Sequence, residues 1–147
     1  MTASPAGKLY TPELLALATE LAAFPLTGDW PLLASARSRA CGSSLTIGLE
    51  LDGHGRVNRF GLAVSACAVG QASAATFARA AGGRSSAEIA AALEQIEGWL
   101  AHADAPLPKW PGFAALALAR SYSGRHGALL LPWKAAADAL CKGEITG

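Results

Sequence analysis

Hydrophobic and polar positions recur with two different periods along the chain, and each period predicts a different kind of element. From about Tyr10 to Ala23, apolar residues recur at helical spacing behind the helix-start signal Thr11-Pro12-Glu13, which predicts a first helix. The segment from Leu32 to Arg39 is predicted to be extended. Residues 45–51 alternate strictly, with leucine or isoleucine at every second position, and predict a half-buried strand.

A turn signal follows this strand and predicts a hairpin. Asp52-Gly53-His54-Gly55 is expected to return the chain into another strand that ends near Val64. In the alternating pattern of that strand, Val57 falls on one face and the later apolar residues fall on the opposite face. We therefore expect a bulge near Asn58-Arg59.

Helical patterns dominate the rest of the chain. Ser65 is predicted to cap a helix over residues 66–80, with Cys67 in its first turn, and Ser85-Ser86-Ala87-Glu88 opens another helix. A short apolar helix is expected over residues 113–119, and Pro132 is expected to begin the last helix, which ends near Leu140. The predicted fold class is α+β, with a three-stranded antiparallel sheet and helices packed on one face, in a single domain over residues 1–147.

Composition narrows the classes of function. Hydrophobic residues make up 52% of the chain and charged residues 16%, so a globular protein is expected. A formal net charge of +1 gives no general attraction to nucleic acid or to an anionic membrane. Glu13 and Glu20 interrupt the first apolar stretch, which argues against a signal peptide, and no apolar run is long enough to cross a bilayer. We expect a cytoplasmic protein.

Two cysteines with small neighbours carry the candidate chemistry. Cys41 lies in Ala40-Cys41-Gly42-Ser43 and Cys67 in Ala66-Cys67-Ala68, at the two ends of the predicted hairpin. Thiolates bind soft metals and iron–sulfur clusters, and small neighbours let a bulky inorganic group approach the backbone. The alternative is that they are small buried hydrophobic residues. No serine–histidine–acid arrangement, phosphate loop or paired carboxylate motif is present, so we expect no enzymatic activity.

The chain resembles the NifU N-terminal, IscU and SufU family of iron–sulfur cluster assembly scaffolds. The resemblance is carried by Cys41-Gly42 before a strand, the Asp52-Gly53 turn, the small-residue stretch from Gly61 to Ser73, and the segment ending in Leu131-Pro132-Trp133-Lys134-Ala135. It covers residues 9–140 and implies the NifU/IscU-like fold.

The resemblance also implies a site and shows where this chain departs from the family. In the family, three cysteines and an aspartate surround the nascent cluster, and Cys41 and Cys67 match the first two cysteine positions. Ser43 stands at the aspartate position and Ala128 at the third cysteine position. Cys141 is too far along the chain to replace the missing thiol, whereas His126 is a candidate third metal ligand beside Cys41 and Cys67.

The resemblance implies a scaffold or carrier that binds iron or a nascent iron–sulfur cluster through Cys41 and Cys67. Its implied partners are a cysteine desulfurase and the apo-proteins that accept clusters, and a homodimer that shares a cluster is chemically feasible. Two alternatives remain: a metal-free interaction or regulatory module on the same fold, and a zinc-binding sulfur acceptor. Ser43 and Ala128 motivate the first of these alternatives.

Overall fold

The strictly alternating segment forms the central strand of a three-stranded antiparallel sheet. In a computed structural model, which describes residues 11–146 and the side chains of residues 11–142, the strands are β1 (Leu32–Arg37), β2 (Ser44–Leu51) and β3 (Val57–Ser65). They lie in the order β1-β2-β3. Glu50 pairs with Arg59 and Leu51 with Val57, so Asn58 is an extra residue in β3 and the predicted bulge is confirmed.

Four α-helices accompany the sheet in the described residues. They are α1 (Pro12–Thr19), α2 (Ala68–Ala81), α3 (Ser86–Ala101) and α4 (His126–Thr146), and short 3₁₀ segments span Glu20–Ala23, Phe113–Ser121 and Ser123–Arg125. The predicted caps of α1 and α3 are confirmed, because Leu14 N donates to Thr11 Oγ1 at 3.1 Å and Ser85 and Glu88 form a capping box. No helix of this part of the chain is long and apolar enough to span a membrane.

The core lies between one face of the sheet and the helices. Leu45, Ile47 and Leu49 on β2 are fully buried on that face, where α4 packs across β1 and β2, and α2 packs against α4. The predicted α+β fold, with helices on one face of the sheet, is therefore confirmed. Helix α1 packs on α2 and lies farther from the sheet.

One aromatic side chain covers the other face of the sheet. Gly48 and Gly61 are paired across β2 and β3, and a Cβ atom at either position would overlap the Trp30 ring. The Arg59 guanidinium lies 4.1 Å from the centroid of that ring, at a distance typical of a cation–π contact. The two glycines therefore form a slot that Trp30 fills.

Two predicted helix boundaries were wrong. Ser65 is the last residue of β3, because it pairs with Ser44, and α2 begins at Ala68 with Cys67 at its N-cap position. Helix α4 begins at His126, six residues before Pro132, which lies inside the helix. Pro132 cannot donate the helical hydrogen bond to the Ala128 carbonyl, but residues 128–131 are buried and the Ser73 hydroxyl of α2 donates to the neighbouring Leu129 carbonyl oxygen, which holds this turn against α2. Packing therefore outweighs the proline signal.

The glycine slot generates a stability prediction. We expect Gly61→Ala to lower the free energy of unfolding by about 1–3 kcal/mol, because the new methyl group would overlap the backbone oxygen of Pro25 and the Trp30 ring. Gly53→Ala is the control, since its Cβ atom would meet nothing within 4 Å, and it should change stability by less than about 0.5 kcal/mol. Urea unfolding measures the stability of both variants. Equal unfolding midpoints would show that Trp30 moves aside without a cost in free energy.

Candidate functional site

Cys41 lies on the tight turn that joins β1 to β2. Ser38 N donates to Ser43 O at 2.8 Å, and Gly42 N donates to Ser38 O at 2.9 Å. Gly42 has φ +69°, a left-handed conformation that glycine adopts without a steric penalty. The turn is thus fixed at both ends, and it holds the Cys41 side chain half-buried beside the end of the sheet.

Cys67 lies at the same end of the sheet on a different element. Because Ser44 pairs with Ser65, the residue after the β1–β2 turn and the last residue of β3 are neighbours. Cys67 follows two residues later as the N-cap of α2, and its carbonyl accepts a hydrogen bond from Gln71 N at 3.0 Å. Its side chain is half-buried, and both cysteines are free thiols.

The two cysteines line one cavity that opens to the surface. Its volume is about 260 Å³, and its lining consists of Cys41, Gly42, Ser43, Ser65, Ala66 and Cys67. The β2–β3 hairpin brings these residues together although Cys41 and Cys67 are far apart in sequence. The cavity contains two thiols and two serine hydroxyls, a donor set suited to a soft metal or to sulfur chemistry.

Hydrogen bonds around Cys41 favour its ionised form. Partial burial raises the pKa of the thiol, but the hydroxyls of Ser38 and Ser43, the Ser43 backbone and the charge of Arg125 together lower that pKa to about 7. The Cys41 sulfur lies 3.0 Å from Ser43 Oγ and 3.5 Å from Ser38 Oγ, and both serines are buried. A substantial fraction of Cys41 is therefore thiolate at neutral pH.

The position that matches the third family cysteine lies beside this cavity. A Cβ atom at Gly70 would lie 2.6 Å from Ala66 Cβ and 3.4 Å from Ala128 Cβ, so these three small residues meet where α2 and α4 approach each other. Ala66 is part of the cavity lining, whereas Ala128 is fully buried. Ala128 therefore lies near one residue of the lining, Ala66, and its methyl group supplies no ligand atom.

The structure places the His126 side chain outside the cavity that the two cysteines line. It is the first residue of α4 and not part of an extended segment, and its Nε2 atom lies 2.6 Å from Arg120 O. Its side chain lines a separate cavity with Glu97, Leu100, Ala101 and Leu130. The prediction of an extended segment, which had placed His126 near the Ala128 position, was wrong because α4 begins at His126.

The remaining soft ligands of the chain are also distant from the cavity. Cys141 is exposed on α4, His54 lies in the β2–β3 turn, and His102 ends α3. Within residues 11–142, no group of three His, Cys, Asp or Glu side chains is arranged to hold a metal ion. The candidate site therefore offers two thiols of its own. Sequence reasoning missed Ser38, whose contact with Cys41 depends on the unpredicted turn geometry.

Solved structures show what the chain is similar to. The N-terminal part of a nitrogen-fixing NifU-like protein from Brucella abortus aligns with a TM-score of 0.87 and 27% identity, covering 98% of this chain and all of that one. An iron–sulfur cluster assembly scaffold protein named for the SUF system of Fervidobacterium islandicum AW-1 aligns with a TM-score of 0.81 and 17% identity, covering 90% of this chain and 97% of that one. The chain is thus similar in fold to this NifU-like protein and to the SUF-system scaffold.

That relationship confirms the resemblance read from the sequence. No protein-family model and no curated protein matches the chain, so the relationship depends on the structural comparison. Neither of these NifU/IscU/SufU-type neighbours is named as an enzyme, in agreement with the prediction of a non-enzymatic protein.

The hydrogen bonds around Cys41 generate a pH prediction. In a variant that retains Cys41 as its only cysteine, alkylation by iodoacetamide should reach half its maximal rate near pH 7, because the thiolate is the reactive form and its pKa is about 7. Ser43→Ala should move that midpoint upward by roughly 0.5–1 pH unit, since a hydrogen bond to the thiolate is lost. Ser65→Ala, in the same cavity, is the control. A midpoint unchanged by Ser43→Ala would contradict the assignment.

Proposed function

We propose that this chain is an iron–sulfur cluster assembly scaffold or carrier whose cargo, iron or a nascent cluster, binds at Cys41 and Cys67. The observation that carries the proposal is the open cavity that two free thiols from separate elements line. The NifU/IscU/SufU-type fold around that cavity supports the same function. The cargo would be held transiently and passed on, so it is a substrate of the protein and not a resident cofactor.

The chemistry of the cavity suits such a role. Gly42 and Ala66 in the lining leave space for a bulky inorganic group beside the backbone. The Cys41 thiolate can attack the outer sulfur of a persulfide on a cysteine desulfurase, forming a new S–S bond while the desulfurase thiolate leaves. Sulfur would enter the site in this way at the oxidation level of a persulfide. Two electrons from an external reductant would convert it to the sulfide of a cluster, and apo-proteins that accept clusters would remove the finished cargo. We also propose that residues 1–147 form a single domain and that the protein is located in the cytoplasm.

Anaerobic reconstitution tests the proposal. Purified protein supplied with ferrous iron and sulfide should develop the absorption of a thiolate-bound cluster and a matching Mössbauer spectrum, because Cys41 and Cys67 provide sulfur ligands. Cys41→Ser combined with Cys67→Ser should abolish both signals. Cys141→Ser is the matched control, since Cys141 is exposed on α4 outside the cavity, and it should behave as the parent protein. A parent protein that remains colourless and free of iron would contradict the proposal.

A second candidate function follows from two departures from the family pattern, because Ser43 offers no carboxylate and Ala128 offers no thiol. In that case the chain is a metal-free interaction or regulatory module. The double cysteine variant would then bind its partner as well as the parent protein does. A zinc-binding sulfur acceptor is the remaining alternative, and elemental analysis of the purified protein separates zinc from iron.

A further inference from the structure

A groove lies between α3 and the loop that follows it, and it shares no residue with the cavity of the two cysteines. Its deeper part has a volume of about 350 Å³, with α3 as one wall and residues 105–109 as the other. A smaller cavity of about 170 Å³ continues the groove, because Gln95 and Lys109 line both. Together the two cavities extend along residues 88–99 of α3, a rise of roughly 16 Å.

Small and apolar side chains form most of the inner surface of the groove. Ala91, Gln95 and Gly98 follow one another at helical spacing and lie on one face of α3. Leu107 lines the opposite wall and is 44% exposed. An apolar side chain that entered the groove would remove this surface from water, which favours binding.

Gly98 is a residue that the fold itself does not require. It lies in the interior of α3, where glycine is less favourable than alanine by about 1 kcal/mol. Its φ is not positive, and a Cβ atom would meet nothing within 4 Å, so neither the backbone conformation nor packing within residues 11–142 needs a glycine here. A residue that lowers stability and keeps a groove open fits a site that another molecule occupies.

The loop wall of the groove is fixed in place before any partner binds. Lys109 N donates to Gln95 Oε1 at 3.1 Å, which attaches the loop to α3, and the next residue, Trp110, is buried. Pro106 and Pro108 restrict the loop backbone just before this attachment. A preformed wall loses little conformational entropy on binding.

Unpaired acidic side chains surround the deeper part of the groove. Glu94 lines it, Glu97 lies one turn farther along α3, and Asp104 directly precedes the loop wall. All three are exposed, and their side chains form no hydrogen bond or ion pair within residues 11–142. Lys109 is the only cation in the lining of this part, and two arginines at the other end of the groove are already paired with a glutamate of α3. The resulting excess of negative charge attracts a positively charged partner.

We propose that this groove binds an extended segment of a partner protein, which inserts one apolar side chain between Gly98 and Leu107 and places a lysine or arginine beside Glu94. The length of the groove matches about five residues of extended chain. No cysteine and no metal takes part in this contact, so the groove is a second site, separate from the proposed function. A segment bound there leaves the lining of the cysteine cavity uncovered, because the two sites share no residue.

Three acetylated and amidated peptides test the groove by NMR titration of the ¹⁵N-labelled full chain. The first, Gly-Lys-Leu-Lys-Gly, combines an apolar anchor with positive charge. The second carries serine in place of leucine, and the third carries glutamate in place of both lysines. The first peptide should shift the amide signals of Gln95, Gly98 and Leu107 until they saturate. Each of the other two should bind at least about tenfold more weakly, because one loses the apolar anchor and the other the charge complementarity.

Variants with matched controls test where the peptide binds. Gly98→Leu should fill the groove and weaken binding of the first peptide at least about tenfold, whereas Ala90→Leu, exposed on α3 outside both cavities, should leave it unchanged. Glu94→Lys should weaken binding, whereas Glu13→Lys on α1 changes the net charge equally and should not. Gly98→Ala should raise the melting temperature and still weaken binding, which tests the groove if Gly98→Leu does not fold.

Several outcomes would overturn the partner segment. Signals of the groove that shift with protein concentration without any peptide, together with a dimer in light scattering, would favour a second copy instead. Saturable binding of indole without binding of the first peptide would favour a small apolar molecule. Absence of peptide binding, or equal affinity in the parent protein and Gly98→Leu, would remove the site altogether. None of these results bears on the proposed function, which anaerobic reconstitution tests separately.

Discussion

The rest of the structure depends on the buried aromatic cluster around Trp133. This side chain is fully buried on α4, and its ring meets Phe77 of α2 at 5.7 Å, Trp110 at 5.4 Å and Phe113 at 5.9 Å between ring centroids. Trp110 Nε1 also donates to Thr76 O at 2.9 Å. Aromatic contacts of this geometry stabilise beyond the area that they bury. The cluster therefore fixes α4 against α2 and joins the chain between α3 and α4 to both helices.

This packing determines what can surround the two cysteines. With α2 and α4 held together, their first turns meet beside the β1–β2 turn, where Gly70 packs near Ala128 and Gly127 packs against the side chain of Ser38. Ser38 in turn contacts Cys41, so a chain of close contacts connects the aromatic cluster to the thiol. The site therefore has a rigid base formed by backbone and small side chains, and an open mouth at the two half-buried sulfurs.

Local sequence patterns were sufficient to predict most of the fold. They failed where contacts between residues distant in sequence determine the conformation. Alternation over residues 45–51 and the following turn predicted the hairpin, its bulge at Asn58 and the nearness of Cys41 and Cys67. Pro132 misplaced the start of α4 because the Ser73 hydroxyl and burial of residues 128–131 are tertiary effects that a helix-start rule does not contain. The prediction of His126 as a metal ligand followed from this wrong helix start, because the segment before Pro132 was predicted to be extended.

The close approach of α2 and α4 beside the cavity depends on small residues at their contact. A Cβ atom on residue 70 would lie 2.6 Å from Ala66 Cβ and 3.4 Å from Ala128 Cβ, so a glycine at this position lets α2 and α4 approach closely. Small residues at this contact thus favour tight helix packing and leave the open side of the cavity as the approach to the two half-buried cysteines. Two exposed arginines, Arg37 at the end of β1 and Arg39 in the following turn, precede Cys41 in this part of the chain. Tight packing of α2 against α4 and the fixed β1–β2 turn together hold the two thiols at one mouth, so a molecule reaches both of them from the same side.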